Sequence, residues 1–346
     1  MNVSEDQTVC VSVIVPAYNA EDTIGDCLDA IVSQDCPMGS FEVVVVDDGS
    51  TDATPDILGR YEVRLIRQEN RGPAAARNKG ADEARGDILV FTDSDCVPDE
   101  GWLDAMLRPF AESDVAAVKG AYRTEQRSLV ARFAQVEFEE RYDLLEKAGF
   151  CDMLDTYSAA IRAEVFRSCD GFDETFPEPN NEDTELSYRL CAEGLKIAFA
   201  RNAVVLHLQH PDSLRKYMRL KFKRGFWRMA VYKRYPGKVV RETYTPANLK
   251  LQIVALAAAL AGLVLWLLEG REGAMVLIAS LVLLAGAGLG LARAAWRADK
   301  AVFFALPVMI LLRAAALGGG ALAGAVLAQT GRSSASTTAD NQTAKT

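Results

Sequence analysis

The chain has 346 residues, 50% hydrophobic and 25% charged, with a formal net charge of −9. It is long for one domain, and the acidic balance argues against nucleic acid as a partner. The average conceals a division: up to about residue 247 the sequence is charged and globular in pattern, whereas 249–328 is almost wholly Ala, Leu, Val and Gly.

In chain order, apolar β-branched runs alternate with helical periodicity. Residues 9–15 read as a strand, 20–33 as an amphipathic helix, 42–46 as a strand, and 54–60 as a short helix capped by Ser50 or Asp52. A third strand at 63–67, a helix at 73–84 opened by Pro73, and a fourth strand at 87–91 follow. Such β-α-β repetition implies an α/β fold with a mostly parallel sheet covered by helices on both faces. Further on, 102–111, 129–146 and 183–192 look helical, while 116–122, 156–161, 197–199 and 204–208 look like strands.

Cys10, Cys27, Cys36, Cys96, Cys151, Cys169 and Cys191 are odd in number and show no C-x-x-C spacing. Neither a zinc site nor a disulfide framework is expected, and a reducing compartment is the simpler inference. No secretory signal opens the sequence, so the N-terminal part is expected to stay in the cytoplasm.

Three acidic clusters carry the chemistry. Asp47-Asp48 follows the apolar run 43–46, Asp93-Ser94-Asp95 follows the run at 88–91, and Glu182-Asp183 comes some ninety residues later. Buried parallel strands that break into acids deliver carboxylates to the carboxyl edge of one sheet, where open α/β sheets bind ligands. A D-x-D pair on a tight loop suits a hard divalent ion that also holds a phosphate. These residues point to a metal-dependent enzyme using a phosphorylated donor.

Apolar runs at 249–268, 274–292 and 301–328 are each near or above the length needed to cross a bilayer. Lys and Arg crowd residues 215–241 and reappear at Arg293, Arg297 and Lys300, whereas the turn at 269–273 holds only Arg271 against two glutamates. Positive-inside bias therefore sets the globular part and the second loop in the cytoplasm and the polar tail 331–346 outside, as an integral protein of the cytoplasmic or inner membrane. Arg313, near the middle of the third run, costs about 2.5 to 3.5 kcal/mol there, so it should face neighbouring helices, snorkel, or mark a re-entrant segment. Gly286, Gly288, Gly290, Gly318, Gly319, Gly320 and Gly324 permit close helix contact, which is read as anchor packing rather than a lipid-substrate groove. Residues 213–235 mix Lys and Arg with aromatics and suit the headgroup layer.

Five segments now fall into register: Val11-Ser12-Val13-Ile14-Val15-Pro16-Ala17-Tyr18-Asn19; Val46-Asp47-Asp48-Gly49-Ser50-Thr51-Asp52; Asn70-Arg71-Gly72 with Ala76-Arg77-Asn78-Lys79-Gly80; Thr92-Asp93-Ser94-Asp95-Cys96; and Gly171-Phe172-Asp173-Glu174 followed by Glu182-Asp183 and Arg189. In this order, over roughly the first two hundred residues, they resemble the family 2 glycosyltransferases of the GT-A fold.

The resemblance implies a GT-A, Rossmann-like catalytic domain over 1–210, with a nucleotide-sugar half at 1–105 and an acceptor half at 106–210. A basic interface segment at 211–247, a transmembrane region at 248–328 and a polar tail at 329–346 would follow. It further implies a nucleotide-sugar donor, UDP-linked by preference, with Pro16 and Tyr18 bordering the base, Asp48 accepting a hydrogen bond from it, and Arg77 beside the nucleotide. Asp93 would meet the ribose or the metal, and Asp95 would ligate Mg²⁺ or Mn²⁺, with His207 as a further contact and His210 a weaker candidate. Asp183, beside Glu182, would be the general base of an inverting displacement onto a glycan or lipid-linked acceptor in cell-envelope or exopolysaccharide synthesis, with membrane lipids as partners.

The same residues admit other readings. In isolation, Asp47, Ser50 and Asp52 could be helix caps, and Glu182-Asp183 could be first-turn acids complementing a helix dipole. A polyprenyl-phosphate sugar synthase is the nearest alternative activity. A processive polysaccharide synthase fits less well, because Lys223-Arg224-Gly225-Phe226-Trp227 is at best a degenerate Q-x-x-R-W. A sugar nucleotidyltransferase should open on a Gly-rich triphosphate loop, which Pro16-Ala17-Tyr18-Asn19 is not, and a non-catalytic membrane scaffold would tolerate loss of the acids.

Overall fold

A computed structural model describes residues 9–148, 150–176, 181–239, 243 and 246–329. The chain divides into two units, one of Met1–Ser213, Glu242–Pro246 and Ala294–Val302, the other of Leu214–Arg241, Ala247–Arg293 and Phe303–Thr346. The polar tail, residues 1–8 and the loop at 177–180 lie outside the described residues.

The first unit is built on β1 (Val9–Ala17), α1 (Ile24–Val32), β2 (Ser40–Asp47), α2 (Thr54–Leu58), β3 (Arg64–Arg67), α3 (Pro73–Glu83) and β4 (Ile88–Phe91). It continues through β5 (Cys96–Pro98), α4 (Trp102–Leu107), β6 (Val115–Arg123), α5 (Leu129–Ala148), β7 (Ala159–Arg162), α6 (Ala163–Ser168), α7 (Glu182–Ala192) and β8 (Lys196–His207). All eight strands form one sheet in the order β3-β2-β1-β4-β7-β6-β8-β5. Its centre is dry: Val11, Val13, Ile14 and Val15 of β1 and Val44, Val45 and Val46 of β2 are fully buried. Each such side chain contributes about 1.5 to 3 kcal/mol by leaving water. That explains why the near-continuous β-branched runs become central strands.

The expected parallel pairing holds where β-α-β repetition was legible, in β3-β2-β1-β4. Beyond it the sheet is mixed, with β7 antiparallel to both β4 and β6, and β5 antiparallel to β8. The runs at 197–199 and 204–208 are one strand, β8, parallel to β6 through a register irregularity. The strand expected from residue 156 begins at Ala159, because Ser158 N donates to Asp155 O and closes a turn first. Three-residue β5 and six-residue α6 fall below the length at which periodicity speaks.

The anticipated caps serve a different purpose. Ala53 is the N-cap of α2, while Ser50 Oγ accepts from Asn19 N at 3.0 Å and Asp52 accepts from Glu21 N at 3.1 Å as well as from Thr54 N. These side chains stitch the loop after β1 to the loop after β2.

The second unit holds α8 (Leu214–Arg234), α9 (Ala247–Glu269), α10 (Arg271–Ala287) and most of α12 (Lys300–Gln329). The helix α9, and α12 over Lys300–Leu327, are long and apolar enough to cross a membrane. The second run does not form one straight helix: α10 ends at Ala287, and α11 (Leu289–Ala298) leaves at a 45° bend. Arg313 faces neighbouring helices, donating to Gln252 Oε1 at 2.6 Å while Gln252 Nε2 donates to Ala287 O. Glycines do mediate packing here, Gly262 against the Leu277 backbone and Gly320 and Gly324 against the Phe222 and Phe226 backbone, but Gly286 meets open space.

Close approach of α3 to the sheet depends on Gly80, where a Cβ would lie 2.6 Å from Ile14 Cγ2 and 3.2 Å from Val46 Cγ2. Gly80→Ala is expected to lower stability by about 1 to 3 kcal/mol through overpacking. Lys79→Ala, which loses only the exposed pair with Glu83, should change it by less than about 1 kcal/mol. Thermal unfolding of the two variants in detergent measures the difference.

Candidate active site

The ends of β1 and β2 form the first wall. Pro16 sits in register with Val46, Tyr18 projects from the strand end at 50% exposure, and Asp48 N donates to Ala17 O. Asp47 Oδ1 accepts from Ser50 N, which closes the acidic turn. The Asp48 carboxylate is buried and organises the neighbouring loop: Gln68 Nε2 and Arg71 N donate to Oδ1 at 2.7 and 2.9 Å, and Gly72 N donates to Oδ2 at 2.9 Å. Both of its oxygens are thus engaged by the loop that follows β3.

Behind that wall lies an ion triad. Arg77 on α3 is buried, with Nη2 donating to Asp93 Oδ1 at 2.7 Å and Nη1 to Glu182 Oε1 at 3.0 Å. Burial works against its charge, but Asp93, Glu182 and Asp183 outweigh that and raise its pKa. One guanidinium thus joins the end of β4 to the first turn of α7, which lies 105 residues further along the chain than Arg77. Glu182 is consequently more than a dipole acid. Its other oxygen, Oε2, is buried without a hydrogen-bond partner among the described residues.

Asn181 enters α7 with φ of +73°, a left-handed turn that Asn tolerates. Asp183 follows, half-buried, its Oδ1 accepting from Thr184 N at 2.6 Å. The loop ahead is pinned from α3: Asn78 Nδ2 donates to Phe172 O and Glu174 Oε1, while Arg71 pairs with Glu174 at 2.9 Å. Arg189 braces the helix through Glu185 and the Cys169 carbonyl. Asn70-Arg71-Gly72, Ala76 to Gly80 and Gly171 to Glu174 thus form one contact set.

The second wall comes from pairing β5 with β8, which places Cys96 opposite His207. Directly opposed residues of an antiparallel pair share a face. Asp95 Oδ2 lies 3.6 Å from His207 Nδ1, and Leu208 N donates to Asp95 O. One oxygen, one sulfur and one nitrogen from Asp95, Cys96 and His207 all lie within 4.8 Å of one another. Burial raises the Asp95 pKa against the pull of His207, and Asp93 adds to the rise. His207 Nδ1 is itself buried without a hydrogen bond among the described residues. A destabilised carboxylate beside an unsatisfied imidazole fits a divalent cation. His210 is not one of these three donors; it is buried with its Nε2 3.5 Å from Tyr122 Oη and its ring centroid 5.6 Å from that of His207.

Cys96 is the donor that the sequence reading passed over. Its position directly after D-x-D was the available signal, but only pairing with β8 gives that position meaning. Burial, then Asp95 and Asp93, hold its thiol well above the ordinary range.

The fold and this acidic edge define a nucleotide-sugar-type GT-A domain. The model of "Glycosyl transferase family 2" matches residues 12–168. Glycosyltransferase AglE of Haloferax volcanii is 30% identical over 230 residues, covering 61% of this chain and 71% of that protein. The pre-mycofactocin glycosyltransferase of Mycobacterium tuberculosis is 29% identical over 248 residues, covering 67% of this chain but only 52% of its own length. Among solved structures, a mannosyltransferase of Pyrobaculum calidifontis in complex with GDP-Man and Mn²⁺ shares the fold at a TM-score of 0.57 and 22% identity, covering 95% of this chain and 89% of that one. The chain belongs to glycosyltransferase family 2, and it is a transferase enzyme.

Removing the cation of a buried ion triad strands its anions. Arg77→Met is expected to cost about 3 to 5 kcal/mol, and adding Glu182→Leu should recover part of that loss. Thermal unfolding of the single and double variants tests the coupling, and additive losses would show that the pair does not interact.

Proposed function

We propose that this enzyme moves a sugar from a nucleotide-diphosphate donor, UDP-linked by preference, to a hydroxyl of a glycan or lipid-linked acceptor at a membrane surface. The observation that carries this reading is the Arg77 bridge, because it draws the first turn of α7, with Asp183, towards the D-x-D loop. A base for the acceptor and a holder for the diphosphate need that proximity.

In the proposed reaction Asp183 takes the proton of the acceptor hydroxyl as that oxygen attacks the anomeric carbon from the face opposite the diphosphate, giving inversion. In this reading Glu182 Oε2, buried without a hydrogen-bond partner among the described residues, would accept a hydrogen bond from a sugar hydroxyl. Asp95, His207 and Cys96 would hold the divalent ion, with Asp93 oriented by Arg77. When bound, the ion neutralises charge on the leaving diphosphate. Mg²⁺ and Mn²⁺ both suit the oxygen donors, and the likeness to a Mn²⁺-containing mannosyltransferase supports a divalent requirement. That structure holds GDP-mannose, so the choice of nucleotide is an outcome for a donor screen. A polyprenyl-phosphate acceptor, already ionised, would need no base, and the Glu182-Asp183 pair therefore favours a hydroxyl.

Asp183→Asn should lower turnover by roughly a hundredfold to ten-thousandfold with nucleotide affinity little changed. Near-normal turnover of labelled nucleotide sugar would remove Asp183 from this role. Asp95→Asn should leave the ion-free protein at least as stable as the parent, because it deletes a desolvated charge. The same change should abolish the rise in Tm that Mn²⁺ gives the parent, and an unchanged rise would locate the ion elsewhere. Cd²⁺ should produce a near-ultraviolet sulfur-to-metal band in the parent that Cys96→Ser lacks. Equal spectra would reduce the ion site to Asp95 and His207.

A further inference from the structure

Between α8 and α9 the chain comes back to the catalytic unit. Residues Glu242–Pro246 belong with Met1–Ser213, although the helices on either side of them do not. Among the described residues of that segment, Thr243 makes the return specific. Its Oγ1 accepts from Asp152 N at 3.0 Å and donates to Asp152 Oδ1 at 2.6 Å, while Thr243 N donates to the same oxygen at 3.0 Å. Asp152 is buried, and a buried carboxylate is costly unless donors meet it. One hydroxyl thus serves both the backbone and the side chain of Asp152, which fixes where that residue stands and which way it faces.

Asp152 lies in the segment 151–158, which runs past several parts of the candidate site. Cys151 N donates to Ile197 O on β8 at 3.0 Å, Asp155 pairs with the buried Lys119 of β6, and Tyr157 O accepts from Thr92 Oγ1 at 2.9 Å, next to Asp93. The middle of the segment meets α7. Leu154 N donates to Ser187 Oγ at 2.7 Å, and that hydroxyl in turn donates to Asp183 O. Thr184 Oγ1 adds a contact to Met153 Sδ at 3.3 Å. A serine has one proton to give and two lone pairs with which to receive, so Ser187 plays both parts at once.

Apolar packing could bury this segment equally well. Hydrogen bonds add direction, and here they run in series: Thr243 to Asp152, then along the chain to Leu154, from Leu154 to Ser187, and from Ser187 to the backbone of Asp183. A displacement of about 1 Å is enough to slow a reaction that depends on aligned groups. A series of this kind ends on the residue where such a displacement matters most.

We infer that Thr243 is a positioning residue for the transfer reaction, setting the first turn of α7, and with it Asp183, through Asp152, Leu154 and Ser187. The inference rests on the reading of Asp183 as the base. Thr243 precedes Ala247, where α9 begins, and α9 is long and apolar enough to cross a membrane. The base is therefore tied to the stretch of chain that leads into that helix.

The test uses the full chain in detergent and reads amide hydrogen exchange peptide by peptide. Thr243→Val keeps the shape and the N–H but removes the hydroxyl, so exchange in peptides covering 151–158 and 181–187 should quicken roughly tenfold. Peptides of β1 and β2 should keep the parent rate. Thr243→Ser, which restores the hydroxyl, should return the two affected peptides to that rate. Turnover of UDP-glucose and GDP-mannose with Mn²⁺, water serving as acceptor, should follow: kcat falls roughly tenfold to a hundredfold in Thr243→Val, KM for the donor changes little, and Thr243→Ser recovers. A parent inert to both donors would count against the proposed reaction, and the exchange rates would still decide the link from Thr243 to α7. Unchanged exchange in 181–187, an unaltered kcat despite faster exchange, or a serine variant no better than the valine one would overturn the inference. Should Thr243→Val fail to fold, Ser187→Ala cuts the same series one link later and should quicken the 181–187 peptide; an unchanged rate there would overturn the inference equally.

Discussion

The active edge depends on one buried cation. Arg77 holds Asp93 and Glu182 at hydrogen-bond distance, and both it and Glu182 are withdrawn from solvent. A guanidinium suits this position better than an ammonium, because its planar fork reaches two carboxylates in two directions from one rigid group. The consequence is geometric: the end of a central strand and the start of a distant helix cannot drift apart without exposing a charge to an apolar interior. Pre-organisation of this kind is what a displacement reaction needs, since its reacting groups must be near contact before the donor arrives.

The triad is also a liability that the rest of the fold contains. Buried ion pairs rarely add net stability, because desolvation cancels much of the Coulomb attraction. Stability in the first unit comes instead from the dry strands on either side of Asp93, from Trp102 buried with its indole donating to Ser158 Oγ, and from α3 lying flush on Ile14 and Val46. A second buried pair, Lys119 with Asp155, repeats the pattern on β6 and is backed by the hydroxyls of Tyr157 and Tyr142. In both places packing bears the cost of charge, and the charge fixes which arrangement is adopted.

What the sequence made legible follows from range. Acids at the ends of apolar runs could be read, because strand and turn are local events: Asp47, Asp48, Asp93 and Asp95 stand where the runs break, and Glu182-Asp183 opens α7. Partners across the fold could not be read. Arg77 to Glu182 spans 105 residues, and the pairing of Cys96 with His207 depends on β5, a three-residue strand that periodicity cannot register. Ser50 and Asp52 looked like caps because Ser and Asp favour caps, yet their oxygens join two loops more than thirty residues apart. Asp48 was read as an acceptor for a base, and its two oxygens already take three donors from the following loop.

The apolar half exposes a different limit. Hydropathy records that a segment avoids water, and it carries no direction. Both a spanning helix and one lying flat need a lipid-facing stripe, so Phe304, Val308, Leu322 and Val326 fit either. Direction is set by what the opposite face touches. Gly320 and Gly324 bring the backbone of α12 against Phe222 and Phe226 of α8. The buried Arg313 follows the same logic, since its bond to Gln252, which in turn bonds the Ala287 carbonyl, ties it to α9 and α10 in a way that hydropathy does not register. Small residues, which look featureless in a hydropathy trace, thus decide which helices touch.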